Sequence, residues 1–481
     1  MIFTATPHCG ALAMALALVS VSCSTTSDRY RALASELERA APQGRMEREH
    51  HAALEGNSDG DDPFPGAATL ERGALIMQVL ARHPTLDAAR NAWRAALAEV
   101  EQTQAFDDPM VAYRVAPLSI SLPGIAPDAP FGHEIMLSQT MPFPGRRERA
   151  GDRALADVEL ARLQHHAAQL DLALAAAHLH ADYVTNASMR AFTNEFATLV
   201  EQMRGSAAAQ FEAGRGSLQD PLYAELELAH LEHDKIRLDA EGTVIVAHIN
   251  SLLHRRPKAA LPPAPLWAAA PGSGHHHADD EHEHEDEDLE GLALASRPDL
   301  AAARARIEAA RAEVATADLA WWPDLSLNGS YNSMWDLPQH QWMIGASINV
   351  PIFGARDAAS VGAHARMNGA ESEEQGVVDE VRTEVEVARK RVVAARHIVG
   401  LNEDRVLPAA RARVAAARAA LESGSGTFIF LIESEKELRD ALLLQQVALA
   451  DLDRRRAELD RSVGRLPGAV SPTARTTGAH P

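Results

Sequence analysis

The sequence predicts a mainly α-helical protein with a small β part, built from two similar repeats that each contain a very long α-hairpin. Alanine dominates, aromatic residues make up 5% of the chain and charged residues 23%, which is typical of long helices. Four short motifs recur in the same order about 210 residues later. The paired ranges are 83–90 and 297–304, 108–109 and 322–323, 142–145 and 351–354, and 212–214 and 422–424. A duplicated unit of this length indicates a fold with two similar halves rather than an array of short solenoid repeats.

The N-terminus has the features of an exported bacterial protein. Residues 1–22 are predicted to be a signal peptide, because the apolar run at 11–19 is too short to span about 30 Å of hydrocarbon. The residues before Cys23 resemble a lipobox, so Cys23 is predicted to be lipidated. The alternative is ordinary signal cleavage beside an incidental cysteine, because no Lys or Arg precedes the apolar run. We expect the lipid-anchored segment 23–66 to be poorly ordered.

Composition and motifs exclude several classes of protein. The net charge of −21 argues against nucleic-acid binding, which needs clustered Lys and Arg. The two cysteines, Cys9 and Cys23, lie near the N-terminus, so the body of the chain has no disulfide framework. The sequence lacks the HExxH, GxSxG, Walker A and GxGxxG patterns. We therefore predict that the protein is not an enzyme and requires no cofactor.

The first repeat is predicted over residues 67–258. A helical pattern at 70–104 is interrupted at Pro84, where we expect the helix to restart. Two short segments of alternating apolar and polar residues follow, and they predict strands near 108–117 and 131–141.

A very long helix follows the strands in the first repeat. No proline occurs from 145 to 219, and about seventy residues at 1.5 Å each give roughly 100 Å of helix. Such a helix is stable only when its apolar stripe packs on neighbouring helices. Glycine after the helix and a following Ser or Thr predict a tight helix–turn–helix tip. The predicted tip residues are Gly214, Arg215, Gly216 and Ser217.

The second repeat is predicted over 289–467, with strands near 323–333 and 340–351. Pro408 should kink its long helix. The tip residues are Gly424, Ser425, Gly426 and Thr427, and a flexible tail is expected over 468–481.

The strand pattern favours a membrane-spanning sheet. Each strand has about ten residues, apolar on one face and uncharged-polar on the other, which is the pattern of outer-membrane barrel strands. The alternative is a soluble hairpin with one buried face. Four strands do not close a barrel, and open strand edges are excluded from lipid. The chain is therefore expected to oligomerise, and three copies would supply twelve strands.

The linker between the repeats, residues 259–288, contains a tract of five histidines and eight carboxylates. Imidazole suits Zn²⁺, Ni²⁺, Co²⁺ and Cu²⁺, so weak divalent-metal binding is predicted. The alternative is an acidic low-complexity linker without a metal role. The candidate ligands are His275, His276, His277, His282 and His284.

Together these motifs resemble the TolC-type outer-membrane efflux proteins over residues 70–467. The resemblance rests on motifs that occur in the same order in both repeats. They are the motif at 142–146, the motif at 351–354, and the tips at 213–217 and 424–427. The resemblance implies a homotrimer with a twelve-stranded barrel and a long periplasmic tunnel. It also implies docking to a periplasmic adaptor and an inner-membrane resistance-nodulation-division pump. The tips are then the expected adaptor contacts.

The resemblance also implies a gate at the periplasmic end of the tunnel. Members of the family close the tunnel with acidic side chains just beyond the second tip. Glu433 falls at one such position, and Phe430 stands where the other acid is common. The ring of acids is therefore expected to be single or to be replaced by an apolar constriction, and the alternative for Glu433 is a solvated helix acid.

We expect a lipid-anchored channel in the outer membrane of a Gram-negative bacterium. The histidine tract favours passive export of divalent heavy-metal cations over drugs. The alternatives are a drug-efflux channel and a periplasmic metal-binding lipoprotein without a pore.

Overall fold

The computed structural model describes residues 24–40, 63–116, 132–265, 267, 282–333, 341–350 and 354–467. Both repeats contain helices, two strands, a very long helix, a tight turn and a return helix. The helices are α1 (Ser24–Ala40), α2 (Arg72–Arg82), α3 (Pro84–Gln104), α4 (Arg146–Glu212), α5 (Gln219–Leu252), α6 (His282–Ser296), α7 (Pro298–Leu319), α8 (Ala355–Leu401), α9 (Leu407–Glu422) and α10 (Phe428–Ser462). The strands are β1 (Met110–Ala116), β2 (Gly132–Met141), β3 (Leu325–Asn332) and β4 (Trp342–Ile348). The mainly helical fold with a small sheet is confirmed.

The chain divides into two compact units. The first comprises the described residues within 1–41, 89–164 and 301–376, and it contains the sheet. The second comprises those within 42–88, 165–300 and 377–481, and it contains both hairpin tips. Among the described residues, no helix combines the length and apolar character needed to cross a membrane.

The four strands form one antiparallel sheet in the order β1-β2-β3-β4. Leu137 pairs with Gly329, and Gly329 pairs with Ile344, so these residues lie on one face of the sheet. Ile344 on that face is 95% exposed. Apolar residues that share the face are Val111, Tyr113, Ile135, Leu327, Trp342 and Ile348. Polar residues on the opposite face are Ser138, Thr140, Ser326, Asn328, Ser330 and Ser347. The predicted alternation is therefore present as an apolar face and a polar face.

The tips end the long hairpin helices by the expected backbone geometry. Gly214 and Gly424 have φ values of +69° and +73°, the left-handed region that glycine adopts without a steric penalty. The amide after each glycine donates to the carbonyl five residues earlier, at 2.9 Å in both tips. This is the hydrogen bond of a Schellman cap. In the second tip the Phe430 amide donates to Thr427 Oγ1 at 3.2 Å, so Thr427 caps α10.

A π-helical turn, Asn402–Val406, separates α8 from α9 in the second repeat. From Gly145 to Gly214 the chain advances 69 residues, whereas from Gly354 to Gly424 it advances 70. A π-turn accommodates one extra residue in a helix, so the turn absorbs this insertion. Pro408 lies just after it, near the start of α9. The structure therefore has a π-turn directly before the proline at which the sequence predicted a kink.

The prediction of poor order was wrong for part of the N-terminal segment, and the second repeat begins within the predicted linker. In the N-terminal segment, residues 24–40 form α1, whose Leu37 packs in a buried cluster with Trp93 and Leu155. The apolar positions of α1 recur at three- and four-residue spacings, which makes one helix face apolar. In the linker, α6 already begins at His282, because Glu, Leu and Ala favour helix. Residues 1–23, 41–62 and 468–481 lie outside the described residues.

Candidate functional site

The motif that ends the first hairpin forms a junction with the segment before β3. The Phe143 ring stacks on Trp322 with 5.0 Å between centroids, and the Phe143 amide donates to Asp324 Oδ1 at 2.8 Å. Arg146 pairs with Asp324, and its Nη2 donates to the carbonyls of Leu319 and Trp322 at 3.2 and 2.9 Å. Because Leu319 ends α7, the guanidinium also lies at the negative end of that helix dipole. The junction ties the first repeat to the second where strands and helices meet.

The turns at the two tips are open to solvent. Gly214, Arg215 and Ser217 are exposed in the first tip, and Gly424, Ser425 and Thr427 in the second, whereas Gly216 and Gly426 are partly exposed. A side chain at Gly426 would lie 2.9 Å from Ala420 Cβ, so the tight turn requires glycine there. The predicted adaptor-contact residues therefore form two rigid, accessible turns.

Just beyond the turns, the return helices of the two repeats pack together. Ile432 on α10 shares a buried cluster with Phe196 and Val200 of α4 and with Ala224 and Leu231 of α5. Next to this cluster, α5 and α10 carry the predicted gate residue Glu433 together with four further side chains. These side chains are Tyr223, Glu227, Phe430, Glu433 and Lys436, called here the tip cluster.

Glu433 lies exposed on α10, beside Tyr223 of α5. Partial burial, followed by the negative charges of Glu433 and Glu227, raises the pKa of the Tyr223 hydroxyl. Tyr223 therefore stays protonated and neutral beside these carboxylates. Sequence reasoning missed Tyr223, because only the fold brings the two return helices together.

A buried ion pair crosses the same helices one turn further along. Lys436 Nζ lies 2.8 Å from Glu227 Oε2, and the Glu227 side chain is only 5% exposed. Glu227 Oε1 has no hydrogen-bond partner among the described residues, so the lysine carries most of the compensation for burying this carboxylate. The pair was also missed, since a single Glu on a helix does not reveal its burial.

Phe430 occupies the position where an acid was expected, and the structure gives it a cationic neighbour. The ring is 39% exposed, and the Arg413 guanidinium carbon lies 5.4 Å from its centroid. Arg413 also pairs with Glu437 at 2.8 Å. The position equivalent to Phe430 in the first repeat, counting from the tip glycines, is Asp220. The tip cluster therefore combines two acids, two aromatic rings and one lysine, with Arg413 beside it.

The side chains of the predicted metal ligands lie outside the part of the chain that the structure describes. His275, His276 and His277 lie outside the described residues, and for His282 and His284 the structure describes only the backbone of α6. Cys23 also lies outside the described part. Among the described side chains, no group of three or more His, Cys, Asp or Glu is arranged to hold a metal ion.

Comparisons with known proteins match these features. The family model "Outer membrane efflux protein" matches residues 289–465. The crystal structure of VceC from Vibrio cholerae superposes with a TM-score of 0.66 at 17% identity, covering 82% of this chain and 96% of VceC. CusC superposes with a TM-score of 0.68 at 18% identity, covering 82% and 92%. The CmeC outer membrane channel of Campylobacter jejuni gives 0.64 at 14%, covering 82% and 85%. No curated protein sequence matches the chain significantly.

The predicted resemblance is confirmed by these matches, and the fold extends it to both repeats. Proteins of this kind are pores rather than enzymes, which agrees with the expectation drawn from the missing catalytic motifs. Residues 289–465 therefore match the outer membrane efflux protein family, and the chain that contains them has the fold of the solved channel proteins to which it is similar.

Proposed function

We propose that this efflux protein is the outer-membrane channel of a tripartite exporter of divalent heavy-metal cations. The tract at 275–288, with five imidazoles and eight carboxylates, is the observation that favours metal cations as the substrate. Imidazole ligands suit Zn²⁺, Co²⁺, Ni²⁺ and Cu²⁺, and the carboxylates raise the local concentration of any cation. Transport through the channel is passive, and a partner pump in the inner membrane supplies the energy.

Three copies form the pore in this proposal. Their sheets combine into one closed barrel, so that the apolar face meets lipid and the polar face lines the pore. The exposure of Ile344 and its neighbours on one face, opposite serines on the other, supports this orientation. The tips, Gly214 to Ser217 and Gly424 to Thr427, contact the periplasmic adaptor.

Glu433 acts as the gate. Three copies of its carboxylate form a ring that attracts cations and repels anions at the entrance. The Lys436–Glu227 pair supports the proposal, because it connects the return helices beside Glu433. Opening separates these helices, so the same ion pair opposes it.

Cys23 anchors the chain to the membrane through lipid. The lipobox-like residues before it and the folded helix α1 directly after it support this assignment. Loss of radiolabelled palmitate in a Cys23→Ser variant is the measurement; retention of the label would contradict it.

The function is tested by metal tolerance in a strain that lacks the gene. Complementation with the full-length chain should restore growth in Zn, Co, Ni or Cu, and deletion of residues 275–288 should reduce that growth. A matched variant replaces the five histidines of the tract by Gln, which keeps its length and all eight acids. Glu433→Gln should lower tolerance independently of the tract.

The outcomes separate the candidate functions. If the histidine replacement and the deletion both reduce tolerance, imidazole ligation matters; if only the deletion does, the acids or the linker length matter. If loss of the gene sensitises cells to dyes, detergents or antibiotics but not to metals, the protein is a drug-efflux channel. A protein that stays soluble and monomeric without detergent would be the metal-binding lipoprotein.

A further inference from the structure

Among the strand residues that the structure describes, the polar face of the sheet carries one pair of opposite charges. Arg114 on β1 lies directly opposite Glu134 on β2, and Arg114 Nη1 is 3.2 Å from Glu134 Oε2. Asn332 on β3 is the next partner of Glu134. These three residues therefore form one row across the sheet, called here the charged row.

The remaining rows of the polar face are uncharged within the described strands. They offer hydroxyl, amide, thioether and methyl groups. Their residues, taken row by row from the charged row toward the helices, are Ala112, Met136, Ser330 and Met343, then Met110, Ser138, Asn328 and Gly345, then Thr140, Ser326 and Ser347. Fixed charge on this face is thus concentrated at one level of the sheet.

The charged row lies toward the end of the sheet that is remote from the helices. Strand β1 begins at Met110, shortly after α3 ends, and Arg114 lies four residues further on, which is about 13 Å along the strand. In the proposed channel the helices are periplasmic and the polar face lines the pore. The charged row then lies on the exit side of the uncharged rows.

The two charged side chains are unequally exposed. The Arg114 side chain is 61% exposed, whereas that of Glu134 is 23% exposed. The guanidinium therefore reaches further into solvent, and the carboxylate lies closer to the sheet. An exposed ion pair of this kind contributes little to stability, so the need for a stable sheet does not explain why both charges stand here.

We propose that the charged row is a charge filter of the pore, in which Arg114 and Glu134 neutralise each other so that cations are neither repelled nor retained. A ring of unpaired arginines would repel cations. A ring of unpaired carboxylates would bind a divalent cation and slow its release, whereas conduction requires that a bound ion also leaves. The inference rests on the proposed channel and adds a second site of ion selection to the entrance at Glu433.

The filter is tested with the full-length trimer in planar lipid bilayers, where a gradient of potassium chloride gives the ratio of K⁺ to Cl⁻ permeability. Glu134→Gln leaves the guanidiniums unpaired and should lower this ratio about fourfold, the Boltzmann factor for a unit charge about 5 Å from an ion in water. Arg114→Gln leaves the carboxylates unpaired and should raise the ratio by a similar factor. Zn²⁺ should also block the potassium current of Arg114→Gln at concentrations that leave the wild type open.

Three controls separate charge from a change in pore shape. His133→Gln alters the residue beside Glu134 in sequence, but His133 lies on the apolar face, so the ratio should stay at the wild-type value. The double exchange of Arg114→Glu with Glu134→Arg keeps the row neutral and should return the ratio to near the wild-type value. The differences between variants should shrink at about 1 M salt, where the Debye length is about 3 Å, whereas an altered pore shape would persist.

The inference is overturned if the wild type conducts but Glu134→Gln and Arg114→Gln leave the ratio unchanged or shift it in the same direction. It is also overturned if His133→Gln shifts the ratio as strongly as they do. A wild-type protein that forms no conducting pore would overturn the proposed channel as well, so the two failures are distinguishable.

Discussion

At the residue scale, the contacts that matter most at the tips join positions far apart in sequence. Lys436 and Glu227 are 209 residues apart, and the charge of Glu433 acts on Tyr223 over a similar sequence separation. Removing one partner of a buried pair leaves an uncompensated charge, whereas replacing both by apolar groups is often tolerated. The Glu227–Lys436 pair is therefore better understood as fixing how the return helices align than as a source of net stability.

His180 couples the stability of the second unit to pH. Its Nε2 lies 2.8 Å from the Leu70 carbonyl, and its buried Nδ1 has no hydrogen-bond partner among the described residues. Burial, and to a smaller extent Arg72, lowers the pKa of the imidazole, against the opposing effects of the Leu70 carbonyl and Asp453. The neutral ring thus donates from Nε2, and protonation at Nδ1 would bury a charge.

The pKa of His180 is lower in the folded than in the unfolded chain. The stability that the neutral imidazole contributes is therefore present above the unfolded pKa of 6.5 and is lost as pH falls through the folded pKa. We expect the unfolding temperature of the wild type to fall from about pH 7 to about pH 5 more steeply than that of His180→Gln. Glutamine keeps a donor for the carbonyl but does not titrate. His233→Gln, at a side chain that is 81% exposed, should retain the wild-type slope, and an equal change in both variants would contradict the prediction.

At the element scale, sequence reasoning found those features whose cause is local. Glycine at a helix end, alternation in a strand and proline at a helix start each act within a few residues, so the tips, the strands and the break at Pro84 are visible in the sequence. Helix α1 was missed because its order comes from packing on Trp93 and Leu155. The π-turn was missed because the one-residue insertion is visible only when the length from Gly145 to Gly214 is compared with that from Gly354 to Gly424.

Replacing glycine by alanine should have opposite effects at a left-handed tip glycine and at a glycine inside a helix. Gly424 has φ +73°, and a Cβ added there would meet no neighbouring atom within 4 Å, so Gly424→Ala should cost about 1–2 kcal/mol through backbone strain alone. Gly400 lies inside helix α8, also with free space. There Gly400→Ala should stabilise by about 0.5–1 kcal/mol, because alanine is the better helix former. Denaturant unfolding in detergent measures both, and a stabilising effect of Gly424→Ala would rule out strain at the tip.

At the scale of the whole molecule, duplication explains why one chain displays incomplete surfaces. A contact that the second repeat makes with the first has a counterpart position that faces away from the chain, as Leu222, the counterpart of the buried Ile432, does. The sheet shows the same property, because, among the strands that the structure describes, β1 and β4 each pair on one side only. A molecule built from two repeats in this manner reaches full burial and full strand pairing when copies are joined in series.

The two faces of the sheet supply the last prediction. Ile344 is 95% exposed on the apolar face, and Ser347, three residues later on β4, lies on the opposite, polar face. If the apolar face meets lipid, a lysine at position 344 costs about 2–4 kcal/mol near the bilayer midplane. The same residue at 347 faces the aqueous pore and costs little. Ile344→Lys should therefore reduce the heat-modifiable, trypsin-resistant trimer in outer-membrane fractions, whereas Ser347→Lys should leave it near the wild-type level. Equal loss from both variants would indicate general damage to the sheet, and the reverse order would mean that the polar face is the one in contact with lipid.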